Sequence, residues 1–336
     1  MHYAARYGHT ETVKALIKAG AKLETTNSEG NTALLNGARR GCVETVKALI
    51  KAGANVKATN KAGSTALHFA AERGNVDVIN ALLEAGADAD AKIANDYYGE
   101  TPLHYAAENG NAEATNALLD ADAKLVRVTS KNGETPLHYA ARDGNAAVIH
   151  VLLTAGANLE DTDSKGKTPL HYATGRSNPE AARVLLAAGA NLEAADNQGN
   201  TPLFRIRSGH PEIVKSLIKA NANVKATNTV GDTPLHYEAN GDSSETVAAL
   251  IKAGANLEAT DNEGKTALHF AAEHGCTDAL QALINAGVNV KATNNAGYTA
   301  RTLTAQRKAD GSIQQWKQIA TNNIVQILTE AENHPK

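Results

Sequence analysis

Seven histidines recur along this chain, and histidine is the side chain best suited to bind a metal or to pass a proton near neutral pH. They are His2, His68, His104, His138, His171, His236 and His269. A shared metal ion would need several of these rings within about 2 Å of it. Neighbouring members lie at least 33 residues apart in the chain. The spacing therefore favours a structural role, in which each ring serves its own segment.

The histidines belong to a motif that repeats down the chain. The copies are TALHFAA from Thr65 and Thr266, TPLHYAA from Thr101 and Thr135, TPLHYAT from Thr168 and TPLHYEA from Thr233, with looser copies from Thr32, Thr201 and Thr299. Successive threonines are 32 to 36 residues apart. A fixed period in this range predicts a solenoid, in which each unit buries its apolar face against its neighbours.

One repeat explains the local structure. Thr101 is a suitable N-cap, and Pro102 occupies the first helical position, where its missing N–H costs nothing. Gly110 ends this helix, and a second helix follows over residues 112–119. Most repeats then close on a glycine with positive φ. Asp122 and Asn221 replace it in two repeats, and asparagine tolerates that conformation better than aspartate.

The period, the T-P-L-H-x-A core and the closing GANV and GANL segments resemble the ankyrin repeat family. The resemblance implies an all-α solenoid of helix-turn-helix units with projecting β-hairpin fingers. It also implies that each motif histidine hydrogen-bonds to the backbone of adjoining turns. We expect a single ankyrin-repeat solenoid over residues 1–336, with a partial repeat at 1–29, eight full repeats at 30–298 and a divergent C-terminal cap at 299–331.

Composition restricts the functions available to such an array. The 33 basic and 36 acidic residues are interspersed and give a net charge of −3, which offers little basis for nucleic-acid binding. No apolar run is long enough for membrane insertion, and the chain opens with no secretion signal. Cys42 and Cys276 occupy the same position in distant repeats and are predicted not to pair. We expect an intracellular, cytoplasmic monomer, or a protein delivered into a host cell if it is an effector.

Helical geometry predicts the free face of the first helices. If Leu103 points into the core, Tyr105 lies about 200° and Glu108 about 140° away around the helix, which places both on the concave face below the fingers. The Tyr105 position holds an aromatic ring in most repeats, and the Glu108 position holds varied charges. An aromatic row bordered by charge is typical of a protein-binding groove. The same rings could instead stack to join adjacent repeats, and the two roles are compatible.

One finger is longer than the others. The interval of 36 between Thr65 and Thr101 places an insertion in the segment DADAKIANDYYGET, with Tyr97 and Tyr98 near its tip. Exposed paired tyrosines favour an interface, although they could fold back onto a neighbouring finger. The predicted partner-binding residues are Tyr97, Tyr98, Phe69, Glu72, Tyr105, Glu108, Tyr139, Arg142 and Tyr172.

The resemblance implies a non-catalytic protein–protein interaction scaffold, with no cofactor and with a protein partner whose identity is unknown. The chain has no G-x-S-x-G, Walker, H-E-x-x-H or Cys-x-x-Cys motif. The alternatives are the interaction module of a larger enzyme, toxin or pathogen or symbiont effector whose active domain is not in this chain, and a structural or self-associating array.

Two regions depart from the repeat pattern. The Thr201 repeat lacks one residue in its first helix, and the next repeat has Glu238 where others have alanine. An unpaired buried carboxylate is costly, so either Arg205 or Arg207 pairs with it or the joint is loose. At the C-terminus we expect Trp316 to cover the last core. The N-terminal unit, which starts inside a helix without a polar cap, is read as a fragment or as a shortened cap.

Overall fold

The computed structural model describes residues 1–93, 99–204, 206, 210–241, 243–309 and 318–333, with backbone alone at 306–309 and 318–321. The described residues form two compact units, Met1–Ser164 and Lys165–Lys336. Both consist of paired antiparallel helices in chain order, which confirms the all-α solenoid. None of the described helices is long and apolar enough to cross a membrane.

The described residues of the first unit form ten α-helices. They are α1 His2–Arg6, α2 Thr10–Lys18, α3 Ala33–Arg40, α4 Val43–Lys51, α5 Ala66–Arg73, α6 Val76–Glu84, α7 Pro102–Glu108, α8 Ala112–Ala121, α9 Pro136–Asp143 and α10 Ala146–Thr154. The first helices α1, α3, α5, α7 and α9 pack in one row, and the second helices pack beside them. The 3₁₀ turn Ala123–Arg127 follows α8.

The second unit continues the same pattern with longer helices at its C-terminal end. They are α11 Pro169–Gly175, α12 Pro179–Ala187, α13 Pro211–Lys219, α14 Pro234–Ala239, α15 Ser244–Lys252, α16 Ala267–His274, α17 Thr277–Asn285, α18 Ala300–Ala309 and α19 Gln318–Asn333. In the Thr201 repeat, the described residues form only the 3₁₀ turn Pro202–Phe204 where other repeats have a first helix.

The core is a layer of small and branched apolar residues between the two rows of helices. Leu103 is fully buried, and Ala106 and Ala107 fill the contact between neighbouring first helices. Alanine at these positions lets the helix axes approach closely, and leucine from the second helices, such as Leu118, closes the layer. Each interface is therefore thin and local, as a solenoid requires.

The fingers are tight turns rather than extended hairpins. At one tip, Oδ1 of Asn60 accepts hydrogen bonds from the N–H groups of Ala62 and Ser64, which is an Asx turn. Adjacent tips are joined by single backbone hydrogen bonds, such as Lys61 N–H to the Glu29 carbonyl at 3.1 Å. Among the described residues the β-type pairings are isolated bridges, such as that between Thr59 and Thr65.

The two replacements of the closing glycine behave differently. Asn221 adopts φ of 67°, like the glycines it replaces. Asp122 instead lies at φ −152° and caps the following 3₁₀ turn by accepting a hydrogen bond from the Lys124 N–H. Aspartate thus avoids the left-handed conformation, and the chain takes another route out of α8.

Candidate protein-binding face

Five of the motif histidines, His68, His104, His171, His236 and His269, are fixed by their own repeat and by the next finger. In the Thr101 repeat, the Thr101 backbone N–H donates to Nδ1 of His104 at 3.2 Å. This donor assigns the ring proton to Nε2, which donates to the Glu134 carbonyl at 3.0 Å. The same bond runs from His68 to Glu100, from His171 to Asn200, from His236 to Lys265 and from His269 to Tyr298. The expected hydrogen bonding to adjoining turns is confirmed.

Burial keeps the imidazole rings neutral, and the hydrogen bonds occupy both ring nitrogens. Burial lowers the pKa of both His68 and His104 to about 4, and burial also lowers the pKa of His236 and His269. Both nitrogens of such a ring are already hydrogen-bonded, so neither is open to a ligand. Within the described part of the chain, no three His, Cys, Asp or Glu side chains are grouped to hold a metal ion.

The aromatic positions next to these histidines differ in exposure. Tyr139 is 1% exposed and Phe69 is 8% exposed, whereas Tyr105 and Tyr172 are half-buried. The exposure expected from helix geometry was wrong for the first two. A helical wheel counts neighbours on one helix only, but a ring here also meets groups of the preceding repeat. The ring centroids of His104 and Tyr139 lie 5.0 Å apart, edge to face.

Tyr139 is held by polar groups on two sides. Its hydroxyl donates to Oε1 of the buried Glu100 at 2.7 Å. The guanidinium carbon of Arg142 lies 4.3 Å from the centre of its ring, a cation–π contact. Arg142 also pairs with Glu108 at 2.7 Å and with Asp143 at 3.1 Å. The Arg142–Glu108 pair joins α9 to α7, and the Tyr139–Glu100 bond joins α9 to the segment before α7, so Tyr139 connects two repeats.

On the first-helix face of the first unit, Tyr3 in α1 is 79% exposed and Tyr105 in α7 is half-buried. The ring of Tyr105 meets His68 edge-on at 5.7 Å. Glu108 follows Tyr105 by three positions on α7, and Glu72 holds the equivalent position on α5; both are half-buried. Burial raises the pKa of Glu108, against the opposing charge of Arg142. An aromatic ring in a fixed orientation with carboxylates beside it is able to bind an apolar side chain flanked by basic groups.

The second unit has a basic cleft that the sequence did not single out. It measures about 260 Å³ and opens between the finger before α11, the C-terminal end of α11 and the next finger. The finger before α11 contributes Lys165 and Lys167, and the helix contributes Tyr172, Gly175 and Arg176. Tyr172 belongs to the repeat motif and was predicted as a contact residue, but no motif distinguishes Lys165, Lys167, Gly175 and Arg176, which are ordinary finger or helix-end residues.

Some of the residues singled out by sequence cannot be compared with this geometry. Tyr97 and Tyr98, at the inserted finger, are outside the described residues, as are Arg205, Arg207 and Trp316. The flanking Ile93 N–H donates to the Glu100 carbonyl at 3.0 Å, so the two ends of the inserted finger meet. The role of the two tyrosines stays a sequence prediction.

Two of the solved structures with a similar fold are ankyrin repeat domains. The human ASB11 ankyrin repeat domain is 27% identical, with a TM-score of 0.56 over 63% of this chain and 95% of that one. The ankyrin repeat domain of Bcl-3, a unique member of the IkappaB protein family, is 28% identical, with a TM-score of 0.55 over 65% and 96%.

A third similar chain comes from the complex of the Bd0816 predatory endopeptidase from Bdellovibrio bacteriovorus with the immunity protein Bd3460. It is 34% identical, with a TM-score of 0.51 over 55% of this chain and 96% of that one. No curated protein sequence matches the chain. A family model for ankyrin repeats in three copies matches residues 1–93, 89–163, 156–228 and 205–294. Together with the histidine caps and paired helices described above, these matches show that the chain belongs to the ankyrin repeat family.

Proposed function

We propose that this chain is a non-catalytic scaffold that binds a protein partner through the first-helix face and the fingers of its units. Ankyrin repeats are protein–protein interaction modules. The observation that carries the proposal is the setting of Tyr105, a half-buried ring that meets His68 edge-on, on the helix face that also carries the half-buried Glu72 and Glu108. A fixed amphipathic ring loses little conformational entropy on binding, which is why tyrosine is common at the centres of interfaces.

The other proposed contact residues differ in how directly they would touch a partner. Tyr172 is half-buried at the matching position in the second unit, and we assign it the same role there. Glu72, Glu108 and Arg142 border the accessible surface. Phe69 and Tyr139 are buried, so they support that surface from below. Tyr97 and Tyr98 enter the proposal from their sequence alone.

The similar structures support this role by analogy. One of them is a complex of two proteins, a predatory endopeptidase and an immunity protein. The two others are ankyrin repeat domains. These similarities support the proposal that the partner is a protein. The partner itself has to be identified by experiment.

The test compares two positions in one repeat. A partner is captured from lysate by the full chain and identified, and its Kd is then measured for Tyr105→Ala and for Asn116→Ala, an exposed site on α8. We expect Tyr105→Ala to weaken binding at least tenfold, because truncating a central aromatic anchor costs about 2 kcal/mol or more. Asn116→Ala should leave the Kd unchanged.

Each variant is first checked for its content of folded protein by circular dichroism, since Tyr105 also contacts His68. Equal Kd values for the two variants would place the interface on the second helices or elsewhere. The double variant Tyr97→Ala with Tyr98→Ala, measured in the same assay, tests the inserted finger separately. A normal Kd for that variant removes the finger from the interface and leaves the helical face in place.

A further inference from the structure

Tyr139 and Phe270 occupy the same position in two repeats, four residues after the motif threonine, but only Tyr139 has a hydroxyl group. The Tyr139 hydroxyl donates to Glu100, which immediately precedes the motif threonine of the repeat before it. The residue at that position in the repeat before Phe270 is Asp232. Asp232 and Phe270 are therefore the counterparts of a hydrogen-bonded pair, without its donor.

The carboxylate of Asp232 has an acceptor atom without a donor. Asp232 is 7% exposed, and its Oδ1 has no hydrogen-bond partner among the described residues. Burial raises the pKa of Asp232, against the opposing charge of His236 and a hydrogen bond from Asn228. Buried polar atoms are almost always hydrogen-bonded in folded proteins, because an unpaired one loses its hydration without compensation. Asp232 is therefore able to accept a donor that the described part of the chain does not supply.

A similar loss in the first unit is accompanied by an arginine over the ring. Phe69 and Asn31 occupy these two positions there, and Oδ1 of Asn31 also has no hydrogen-bond partner among the described residues. The guanidinium carbon of Arg39, in the preceding first helix, lies 5.3 Å from the centre of the Phe69 ring. Arg142 lies over Tyr139 in the same way, from its own helix. The first unit therefore supplies an internal cation to each of these two rings.

Phe270 has no such arginine. The position of Arg39, in the preceding first helix, holds Asn240, and the position of Arg142 holds Glu273. Within the part of the chain that the structure describes, no lysine or arginine lies over the Phe270 ring. Both positions that place a cation over the ring in the first unit are thus changed to uncharged or acidic residues.

The Phe270 ring is also more open than its counterpart. Phe270 is half-buried, whereas Tyr139 is 1% exposed. His236 meets the Phe270 ring edge-on, with 5.1 Å between the ring centroids, and His274 lies roughly parallel to it at 6.3 Å. Both contacts hold the ring in one orientation, and part of its surface stays accessible on the first-helix face.

The charges near this ring are mainly negative. Nζ of Lys265 lies 3.0 Å from a carboxylate oxygen of Glu263 and 3.1 Å from one of Glu273, so two carboxylates share one cation. Oδ1 of Asp261 accepts hydrogen bonds from the backbone N–H groups of Glu263 and Lys265, which commits Asp261 to its finger turn. Asp232 adds a further carboxylate. This excess of negative charge favours a cation from another molecule.

We propose that an arginine side chain of the partner binds here, with its guanidinium over the Phe270 ring and one N–H donated to Asp232. The inference rests on the proposed scaffold function and specifies the chemistry of the partner, a basic peptide segment. A planar guanidinium stacks on an aromatic ring and donates hydrogen bonds at its edge at the same time, which the ammonium of lysine does not do. One bound side chain thus supplies both groups that Tyr139 and Arg142 supply in the first unit.

Fluorescence anisotropy with the full chain tests the proposal. The probe is a fluorescein-labelled glycine–serine peptide with two arginines, and its counterparts have citrulline or lysine in place of both. Citrulline keeps the planar shape of the side chain but carries no charge. We expect the arginine peptide to bind about tenfold more tightly than the citrulline peptide and several-fold more tightly than the lysine peptide. Equal binding of the arginine and citrulline peptides would overturn the proposal, and equal binding of the lysine peptide would overturn the assignment to arginine.

Removing the charge of Asp232 should weaken this binding. Asp232→Asn is compatible with the fold, because asparagine stands at the same position in two other repeats, as Asn31 and Asn200. We expect the Kd of the arginine peptide to rise about tenfold. Glu330→Gln is the matched control, because Glu330 is exposed on α19 and removal of its charge changes the net charge of the chain equally. It should leave the Kd unchanged, and an equal effect of the two variants would contradict a specific site.

A second variant tests the site without changing the net charge. Asp232→Glu with Phe270→Tyr introduces the residue types of the Glu100–Tyr139 pair, so that an internal hydroxyl takes the carboxylate. We expect the Kd of the arginine peptide to rise several-fold, while the melting temperature stays equal to that of the parent chain or increases. Unchanged binding by the folded double variant would overturn the proposal. If the double variant does not fold, the comparison of Asp232→Asn with Glu330→Gln decides alone.

The scaffold function and the arginine site fail separately. If the partner captured from lysate binds normally to Asp232→Asn but not to Tyr105→Ala, the scaffold function stands and the partner does not use the arginine site. If that partner binds normally to both variants, neither surface belongs to its interface. Weakened binding to Asp232→Asn, together with loss of binding when one arginine of the partner is replaced, is the result that we expect.

Discussion

The hydroxyl of Tyr139 donates a 2.7 Å hydrogen bond to Oε1 of Glu100, although the two residues are 39 positions apart. The bond joins the first helix of one repeat to the segment that leads into the preceding first helix. Both groups are buried, and burial together with this bond raises the pKa of Tyr139 well above its usual value. The pair therefore contributes to the coupling between two repeats.

Tyr139→Phe should lower the free energy of unfolding by about 1–3 kcal/mol, because it leaves a buried carboxylate oxygen without its donor. The measurement is urea denaturation followed by circular dichroism. Tyr3→Phe is the control, since Tyr3 is 79% exposed. An unchanged midpoint for Tyr139→Phe would mean that water or another donor replaces the hydroxyl, and that the ring alone joins the repeats.

Acid should destabilise the array through its histidines. The folded-state pKa of His68 and of His104 is about 4, below the ordinary 6.5. Between these values the unfolded chain binds a proton that the folded chain does not. The stabilisation is thus complete above pH 6.5 and is lost as the pH falls toward 4, with a slope approaching about 1.4 kcal/mol per pH unit for each ring.

Urea midpoints measured between about pH 7.5 and about pH 4.5 test this slope. His104→Gln removes one of the contributing rings and should flatten the dependence while lowering stability at neutral pH. His150→Gln is the control, because His150 is exposed on α10. A dependence that is the same in His104→Gln and in the parent chain would contradict the assignment.

The effect of Glu238 on stability should have the opposite pH dependence to that of the histidines. Glu238 is 3% exposed, and its Oε2 has no hydrogen-bond partner among the described residues. Burial raises the pKa of Glu238 to about 7, and a hydrogen bond to Thr246 opposes this rise. A carboxyl with a raised folded-state pKa destabilises the protein as the pH rises from the unfolded value through about 7. Glu238→Gln should therefore stabilise the chain at pH 8, by about 1–3 kcal/mol.

The same variant separates the two interpretations of this position. Stabilisation at pH 8 with little change near pH 5 indicates an unpaired carboxylate. A strong loss of stability at pH 8 would instead indicate a cationic partner, for which Arg205 and Arg207 are the candidates from the sequence. Thermal melts at the two pH values are sufficient, with Glu245→Gln on the exposed surface of α15 as the control.

The Thr201 repeat should be the weakest interior joint of the second unit. The 3₁₀ turn Pro202–Phe204 offers α14 a shorter surface than a full first helix gives elsewhere. Because repeats are stabilised by their nearest neighbours, opening should begin there. We expect amides of α14 to exchange about tenfold faster than those of α16, equivalent to about 1.4 kcal/mol. Equal protection of the two helices in hydrogen exchange would exclude a weak joint.

The sequence by itself determined the repeat, the helix pairs and the caps, because these depend on contacts within about 35 residues that recur in every copy. The threonine cap and the positive φ of Asn221 follow from local chemistry, and the histidine bond to the next finger was implied by the resemblance to the ankyrin repeat family. The backbone conformation of Asp122 did not follow from the sequence, since aspartate at the end of a helix adopts more than one backbone conformation.

The tertiary structure decided which residues of the first-helix face are accessible. Tyr105 and Tyr139 occupy equivalent positions in identical TPLHYAA motifs, yet one is half-buried and the other is 1% exposed. Tyr139 bonds to Glu100 of the preceding segment and contacts Arg142 three positions on in α9, whereas Tyr105 is followed at that spacing by Glu108. The basic cleft likewise depends on Lys165, Gly175 and Arg176 meeting in space. A motif contains only the residues that all repeats share. The burial and charge around each copy depend on neighbouring residues that differ from repeat to repeat.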